Sequence, residues 1–250
     1  MTIVWSYGGG TQSVAIAVLI LQGKLPRPDY IVMADTGRER RRTFDYLANV
    51  VQPALNAAGL GVVVVNKDDF RAPDLYSKAD DTLLIPAYTT QAGRVGKLPT
   101  FCSKEWKARV VRRYLTEVCG VQSYDQWLGF SVDELERMKH NEIKEVTNVY
   151  PLIDLRLSRA NCAALVEAYG WPSPPKSACW MCPNRADPNW LQMRRDDPDD
   201  FHRAVMFERE IQQRDPHVWL HSSGVPLDQV VFESSMFDAF LGCDDAACMT

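Results

Sequence analysis

The stretch Ser6-Tyr7-Gly8-Gly9-Gly10-Thr11-Gln12-Ser13 lies between two apolar runs, Ile3-Val4-Trp5 before it and residues 14–21 after it. A short apolar run, a glycine cluster and a long apolar run read as strand, tight turn and helix. Backbone N–H groups at the opening of a helix point outward at the positive end of its dipole, where phosphate or pyrophosphate is favoured. Glycines let the backbone approach those oxygens, and Thr11 and Ser13 add hydroxyl donors. A tight β–α turn with no ligand has the same sequence, so the loop alone leaves both readings open.

The alternation continues. Residues 11–22 read as helix, 30–33 as a second strand, 43–58 as a helix that Pro53 can kink, and 61–65 as a third, fully buried strand. Repeated β–α units predict a parallel sheet with helices on both faces, and ligands of such sheets bind at the carboxyl ends of the strands. The glycine loop and Asp35-Thr36-Gly37 both belong on that edge. Residues 68–99 carry few regular signals and read as a long loop or mobile segment. A helix is expected over 104–117, a strand over 124–130, and a helix over 131–139 opened by a Ser131/Glu134 capping box. Residues 158–169 read as a helix ended by Gly170, and 199–214 as a charged amphipathic helix. The expected division is an α/β nucleotide-binding domain over 1–155 and a smaller, mainly helical, cysteine-containing region over 156–250.

With 46% hydrophobic and 24% charged residues, the 250-residue chain has the balance of a soluble globular protein. No apolar run reaches membrane-spanning length, and the N-terminus lacks the basic region of a signal peptide, so a cytoplasmic location is expected. Seven cysteines in a reducing compartment point to metal binding or redox chemistry rather than disulfides. Cys179-Trp180-Met181-Cys182-Pro183 is half of a metal site. Cys102, Cys179, Cys182 and one terminal cysteine would hold tetrahedral zinc or a cubane 4Fe-4S cluster, and Cys179/Cys182 as a redox dithiol is the alternative. Cys119 and Cys162 sit in helical patterns as apolar residues. His140, His202, His217 and His221 form no obvious ligand pair. A net charge of −4 argues against broad nonspecific nucleic-acid binding, although Arg94, Lys97, Lys104, Lys107, Arg109, Arg112 and Arg113 crowd into twenty residues. Asp35 is placed to accept from a ribose hydroxyl or an adenine amine, to hold Mg2+, or to cap its own turn. Lys107 and Arg109 can clamp phosphate oxygens.

Together these segments resemble one family. Tyr7 to Ser13 looks like the PP-loop of ATP pyrophosphatases, in the branch of the phosphoadenosine phosphosulfate (PAPS) reductases. Ala34-Asp35-Thr36-Gly37 with Arg38-Glu39 is similar to its second-strand motif, and Phe101-Cys102-Ser103 to Lys107 to its cysteine–lysine segment. Trp127-Leu128-Gly129-Phe130-Ser131 with Asp133-Glu134 and Arg137-Met138, and then Tyr150-Pro151-Leu152, resemble further signatures. Small bacterial and phage members end, as this chain does, in a C-x-x-C-P element and a cysteine pair, here Cys243 and Cys248. Two positions depart from the usual Ser-Gly-Gly-x-Asp-Ser loop: Gly8 replaces the first serine and Gln12 the aspartate.

The resemblance implies an adenine-nucleotide alpha-hydrolase-like, Rossmann-like fold and an ATP-dependent sulfur transferase. Tyr7 to Ser13, Asp35 and Thr36 would bind ATP with Mg2+; as catalytic residues, Asp35 would contact the nucleoside or Mg2+ and Lys107 the phosphates. Cys102, Cys179, Cys182 and Cys243 would hold the 4Fe-4S cluster or Zn2+, leaving Cys248 to carry sulfur. The implied partners are an adenine nucleotide, a tRNA or DNA acceptor and a sulfur donor, and a homodimer is compatible with them. A thiol-dependent sulfonucleotide reductase and a zinc-stapled nucleotide-binding module are the alternatives.

Overall fold

The structure, a computed structural model, describes residues 1–233. In chain order its strands are β1 Ile3–Ser6, β2 Tyr30–Asp35, β3 Val62–Asn66, β4 Tyr88–Thr89, β5 Gly96–Lys97, β6 Tyr124–Trp127, β7 Val146–Val149 and β8 Val218–Trp219. Its α-helices are α1 Thr11–Leu21, α2 Arg41–Tyr46, α3 Gln52–Ala57, α4 Arg109–Arg113, α5 Pro151–Asp154, α6 Arg159–Ala168, α7 Asp187–Asp196 and α8 Pro198–Arg214. None of the described helices is long and apolar enough to cross a membrane.

By packing, the described chain forms two units: Met1–Ala72 with Trp106–Ser177, and Pro73–Glu105 with residues 178–233. This differs from the expected division at 155/156. Helix α6 stays with the first unit because Cys162 and Val166 are buried in the same core as α1. Residues 73–105 join the second because β4 pairs antiparallel with β8, more than a hundred residues away, as well as with β5. No local signal in 68–99 announces that pairing.

The first unit is the expected α/β fold. Its sheet has the order β3-β2-β1-β6-β7, and every pairing is parallel. Side chains alternate between two buried faces. Trp5, Ile31 and Met33 pack with Val14 to Ile20 of α1 and with Leu47, Val51 and Leu55. Val4, Val32 and Ala34 pack with Val110, Val111 and Leu115 on the opposite face. Two-sided burial is why these strands read as unbroken apolar runs. The chain leaves β1 toward β2 and leaves β6 toward β7, so the carboxyl ends of β1 and β6 flank the switch point where such sheets take ligands.

Three local expectations are corrected. Strand β3 is not fully buried. It is an edge strand, and Val63 and Val64 are 42% and 43% exposed. The helix expected over 43–58 forms as α2, a π-helical stretch Leu47–Val51, and α3. Pro53 has no N–H for the carbonyl one turn back, and the wider turn absorbs that loss. The Ser131/Glu134 capping box does not form. Ser131 Oγ instead donates to Asp133 Oδ2 (3.1 Å), and Val132–Arg137 is a 3-10 stretch broken at Glu134, whose φ is −127°. A true capping box opens α6, where Asn161 N–H donates to Ser158 Oγ (3.1 Å) and Ser158 N–H to Asn161 Oδ1 (3.0 Å).

Candidate nucleotide site

Tyr7 N–H still donates to Val32 O of the sheet (2.9 Å), and the loop turns immediately after it. Gly8 N–H donates to Ser13 Oγ (2.9 Å), which closes the loop across the first turn of α1. Ser177 Oγ–H donates to the Gly8 carbonyl and ties the loop from outside. Gly9 has φ +73°, and a Cβ there would stand 2.5 Å from Thr43 Cγ2. Both conformation and space demand glycine. Gly10 is the N-cap and supplies no side-chain hydrogen bond, so the first-turn N–H groups of α1 are left uncapped.

Gln12 and the carboxyl end of β6 meet beside this loop. A Cβ on Gly129 would be 3.4 Å from Ser13 Oγ and 3.6 Å from Gln12 Cβ, so the chain after β6 lies directly on the first turn of α1. Gln12 Nε2 donates to Glu134 Oε2 (2.9 Å). The other carboxylate oxygen of Glu134 pairs with Arg137, whose guanidinium lies 4.2 Å from the centre of the Phe130 ring. Phe130 in turn stacks on Tyr150. Glu134 was legible as a helix cap and as part of the 127–138 resemblance, and neither signal names Gln12 as its partner. Sequence reasoning gave neither Ser177 nor Thr43 its contact with the loop.

The remaining expected residues are placed as follows. Tyr7 points away from the loop into the core, edge-on to Trp5, and burial, then Tyr46, push its pKa well above the ordinary tyrosine value. Thr36 is fully buried, and its Oγ1 accepts from Arg38 N–H (3.2 Å). Asp35 makes the turn-capping bond: Oδ1 accepts from Gly37 N–H (2.7 Å), and Oδ2 accepts from Asn66 (3.4 Å). Lys107 pairs with Glu39 (2.9 Å), whose side chain is 2% exposed. Beside that pair, Arg38 lies 5.1 Å and Lys67 Nζ 5.9 Å from the Trp106 ring centre. The basic run does not act as one face. Arg113 donates to Phe70 O, while Arg94 and Lys97 belong to the other unit.

Cys102, Cys179 and Cys182 all fall in the second unit. Cys179 to Cys182 is a turn, with Cys182 N–H on Cys179 O (3.0 Å), and Arg185 also donates to that carbonyl (2.9 Å). Among the described residues, no three His, Cys, Asp or Glu side chains are gathered to hold a metal. Cys243 and Cys248 lie outside the described residues. Cys162 is buried and its thiol is pushed up to about 12, chiefly by that burial, as an apolar core residue requires. His221, which the sequence left unassigned, is buried between Asp187 (2.9 Å) and Ser223 Oγ (2.8 Å).

No protein-family model matches the sequence, and no curated protein is similar to it at a significant level. Among solved structures, the chain is similar to a PAPS reductase from Candida auris in its phosphate complex, at 14% identity and a TM-score of 0.46, over 72% of this chain and 82% of that one. It is also similar to the U34-tRNA thiolase NcsA from Methanococcus maripaludis with its [4Fe-4S] cluster, at 14% identity and a TM-score of 0.44, over 100% of this chain and 78% of that one.

Proposed function

We propose that the chain is an ATP-dependent sulfur transferase whose first unit holds the phosphate chain of ATP at Gly8 to Ser13. One observation carries the phosphate site, and the sulfur chemistry follows from the resemblance. A turn that only joined a strand to a helix would gain from a Ser, Thr, Asp or Asn cap. Here three glycines, one with no room for a Cβ, lead instead into an uncapped first turn at the switch point of the sheet. Uncapped N–H groups and the helix dipole favour an anion there.

In the proposed reaction an acceptor oxygen attacks the α-phosphorus. The new O–P bond forms as the bond to the β-phosphate breaks, giving an adenylated acceptor and pyrophosphate. A sulfur nucleophile then forms a C–S bond at the acceptor carbon, and AMP leaves with the oxygen. First-turn N–H groups steady the charge that develops on the phosphoryl oxygens. Asp35 faces the nucleoside or its Mg2+. Lys107, held by Glu39, sets a positive charge at this edge rather than acting as a swinging clamp. Cys102, Cys179, Cys182 and Cys243 are the proposed holders of a 4Fe-4S cluster or Zn2+, with Cys248 as sulfur carrier. The three described cysteines do not by themselves make a metal site, and none of the steps above passes through one.

The test is product analysis with ATP labelled at the α- and γ-phosphates, using bulk tRNA as acceptor and sulfide as sulfur source. AMP and pyrophosphate formed only with acceptor present support the reading. ADP and phosphate would sink it, and consumption of a sulfonucleotide without ATP cleavage would assign the chain to reductase chemistry.

A further inference from the structure

Ser177 grips the glycine loop at the peptide group between Gly8 and Gly9. Its Oγ–H donates to the Gly8 carbonyl. Its side chain also lies against the two glycines that follow: Oγ stands 3.5 Å from where a Cβ on Gly9 would be, and Cβ 3.5 Å from one on Gly10. A trans peptide is planar, so the Gly9 N–H points away from the oxygen that Ser177 holds. Gly8 N–H is already spent on Ser13 Oγ. Gly9 is buried, yet its N–H has no partner among the described residues, and buried N–H groups are rarely left so.

Ser177 also ends a stiff segment. Pro172, Pro174 and Pro175 restrict the chain leading to it, and Tyr46 Oη–H donates to the Pro172 carbonyl (2.7 Å). Both ends of the segment are thereby tied to the first unit, and Cys179 follows two residues after Ser177. Hydrogen bonds on the two sides of one peptide group polarise each other. Donation to Gly8 O makes Gly9 N–H a stronger donor to an anion, and an anion on Gly9 N–H makes Gly8 O a stronger acceptor for Ser177. Resting on the phosphate site described above, we propose that Ser177 is a positioning residue that couples that site to the chain entering the C-x-x-C turn. Bound nucleotide fastens the segment, and the fastened segment tightens the hold on nucleotide.

The experiment reads both directions on the whole chain. Calorimetry gives ATP affinity, and mass spectrometry gives the rate at which trypsin cuts after Lys176, where cleavage requires the segment to open. Mutual strengthening of the two bonds predicts ATP affinity about 2- to 10-fold lower in Ser177→Ala. Linkage requires the same factor in return, so saturating ATP should slow cleavage of wild type by that factor and leave the rate in Ser177→Ala unchanged. Tyr46→Phe frees the other end of the segment and leaves the Gly8–Gly9 peptide alone. It should raise the basal cleavage rate while keeping wild-type ATP affinity. Unaltered ATP affinity in Ser177→Ala overturns the proposal. Wild-type cleavage that ATP does not slow also overturns it, and that arm stands even where Ser177→Ala fails to fold. An equal loss of affinity in Tyr46→Phe would assign the effect to packing of the segment and overturn the proposal as well. No binding of ATP to wild type overturns the phosphate site itself, and this inference with it.

Discussion

Replacing Gly9 by alanine tests the loop through its contact with Thr43. The substitution has two separable costs. At φ +73° an L-residue is disfavoured by about 1–2 kcal/mol. The added Cβ would also stand 2.5 Å from Thr43 Cγ2, where carbon atoms prefer about 3.5–4.0 Å. Forcing that gap open in a packed core costs about 1–3 kcal/mol. Gly9→Ala should therefore destabilise the first unit by about 2–5 kcal/mol, the sum of those two ranges. Thr43→Ser removes the offending methyl and keeps the hydroxyl; alone it should cost about 1 kcal/mol for the lost buried methyl. If the steric argument holds, the double variant recovers the overpacking cost, and the two changes couple by about 1–3 kcal/mol. Urea unfolding of the four proteins, followed by tryptophan fluorescence and far-ultraviolet circular dichroism, measures that coupling. Additive costs, with coupling inside about 0.5 kcal/mol of zero, would refute the placement of Thr43 against the loop.

Further outcomes are expected at other sites. Lys107→Ala should destabilise the fold by about 1–3 kcal/mol, because it strips a cation from the buried Glu39, and Lys107→Ala with Glu39→Gln should recover part of that loss in the same unfolding assay. Glu208 is buried and accepts from Leu220 N–H (2.8 Å) and Leu227 N–H (2.7 Å), yet burial raises its pKa from the ordinary 4.5. A raised folded pKa means that its contribution is full below 4.5 and is lost as pH rises through the folded value. The stability advantage of wild type over Glu208→Gln should accordingly shrink with rising pH; an advantage that grows would contradict the burial argument. Cys162, buried and with its thiol raised to about 12, should resist iodoacetamide in the native protein and react only under denaturant, as peptide mapping would show.

The first two β–α units were legible because each signal is local. Glycines at residues 8–10 can serve only a turn, and the two-sided burial of β1 and β2 leaves an unbroken apolar run. The same rule misplaced β3, since Val62 to Val65 looks identical in a central and an edge strand and only the strand order exposes Val63 and Val64. Glu134 shows a different limit. Three residues after Ser131 it fits a helix cap, but the side chain gains more from Gln12 and Arg137, which are distant or outside the cap pattern. Lys107 was legible as a charge, but its buried partner was not. Residues 73–105 could not be assigned locally, because β4 takes its order from β8.

Comparing ATP with adenosine tests the central claim most directly. Calorimetric titration of the whole chain with each ligand in Mg2+ isolates what the phosphates contribute. If Gly8 to Ser13 hold the phosphate chain, ATP should bind at least about 100-fold more tightly than adenosine, the worth of two or so charge-assisted hydrogen bonds. Equal affinity for the two, or binding of neither, would contradict a phosphate site in the glycine loop.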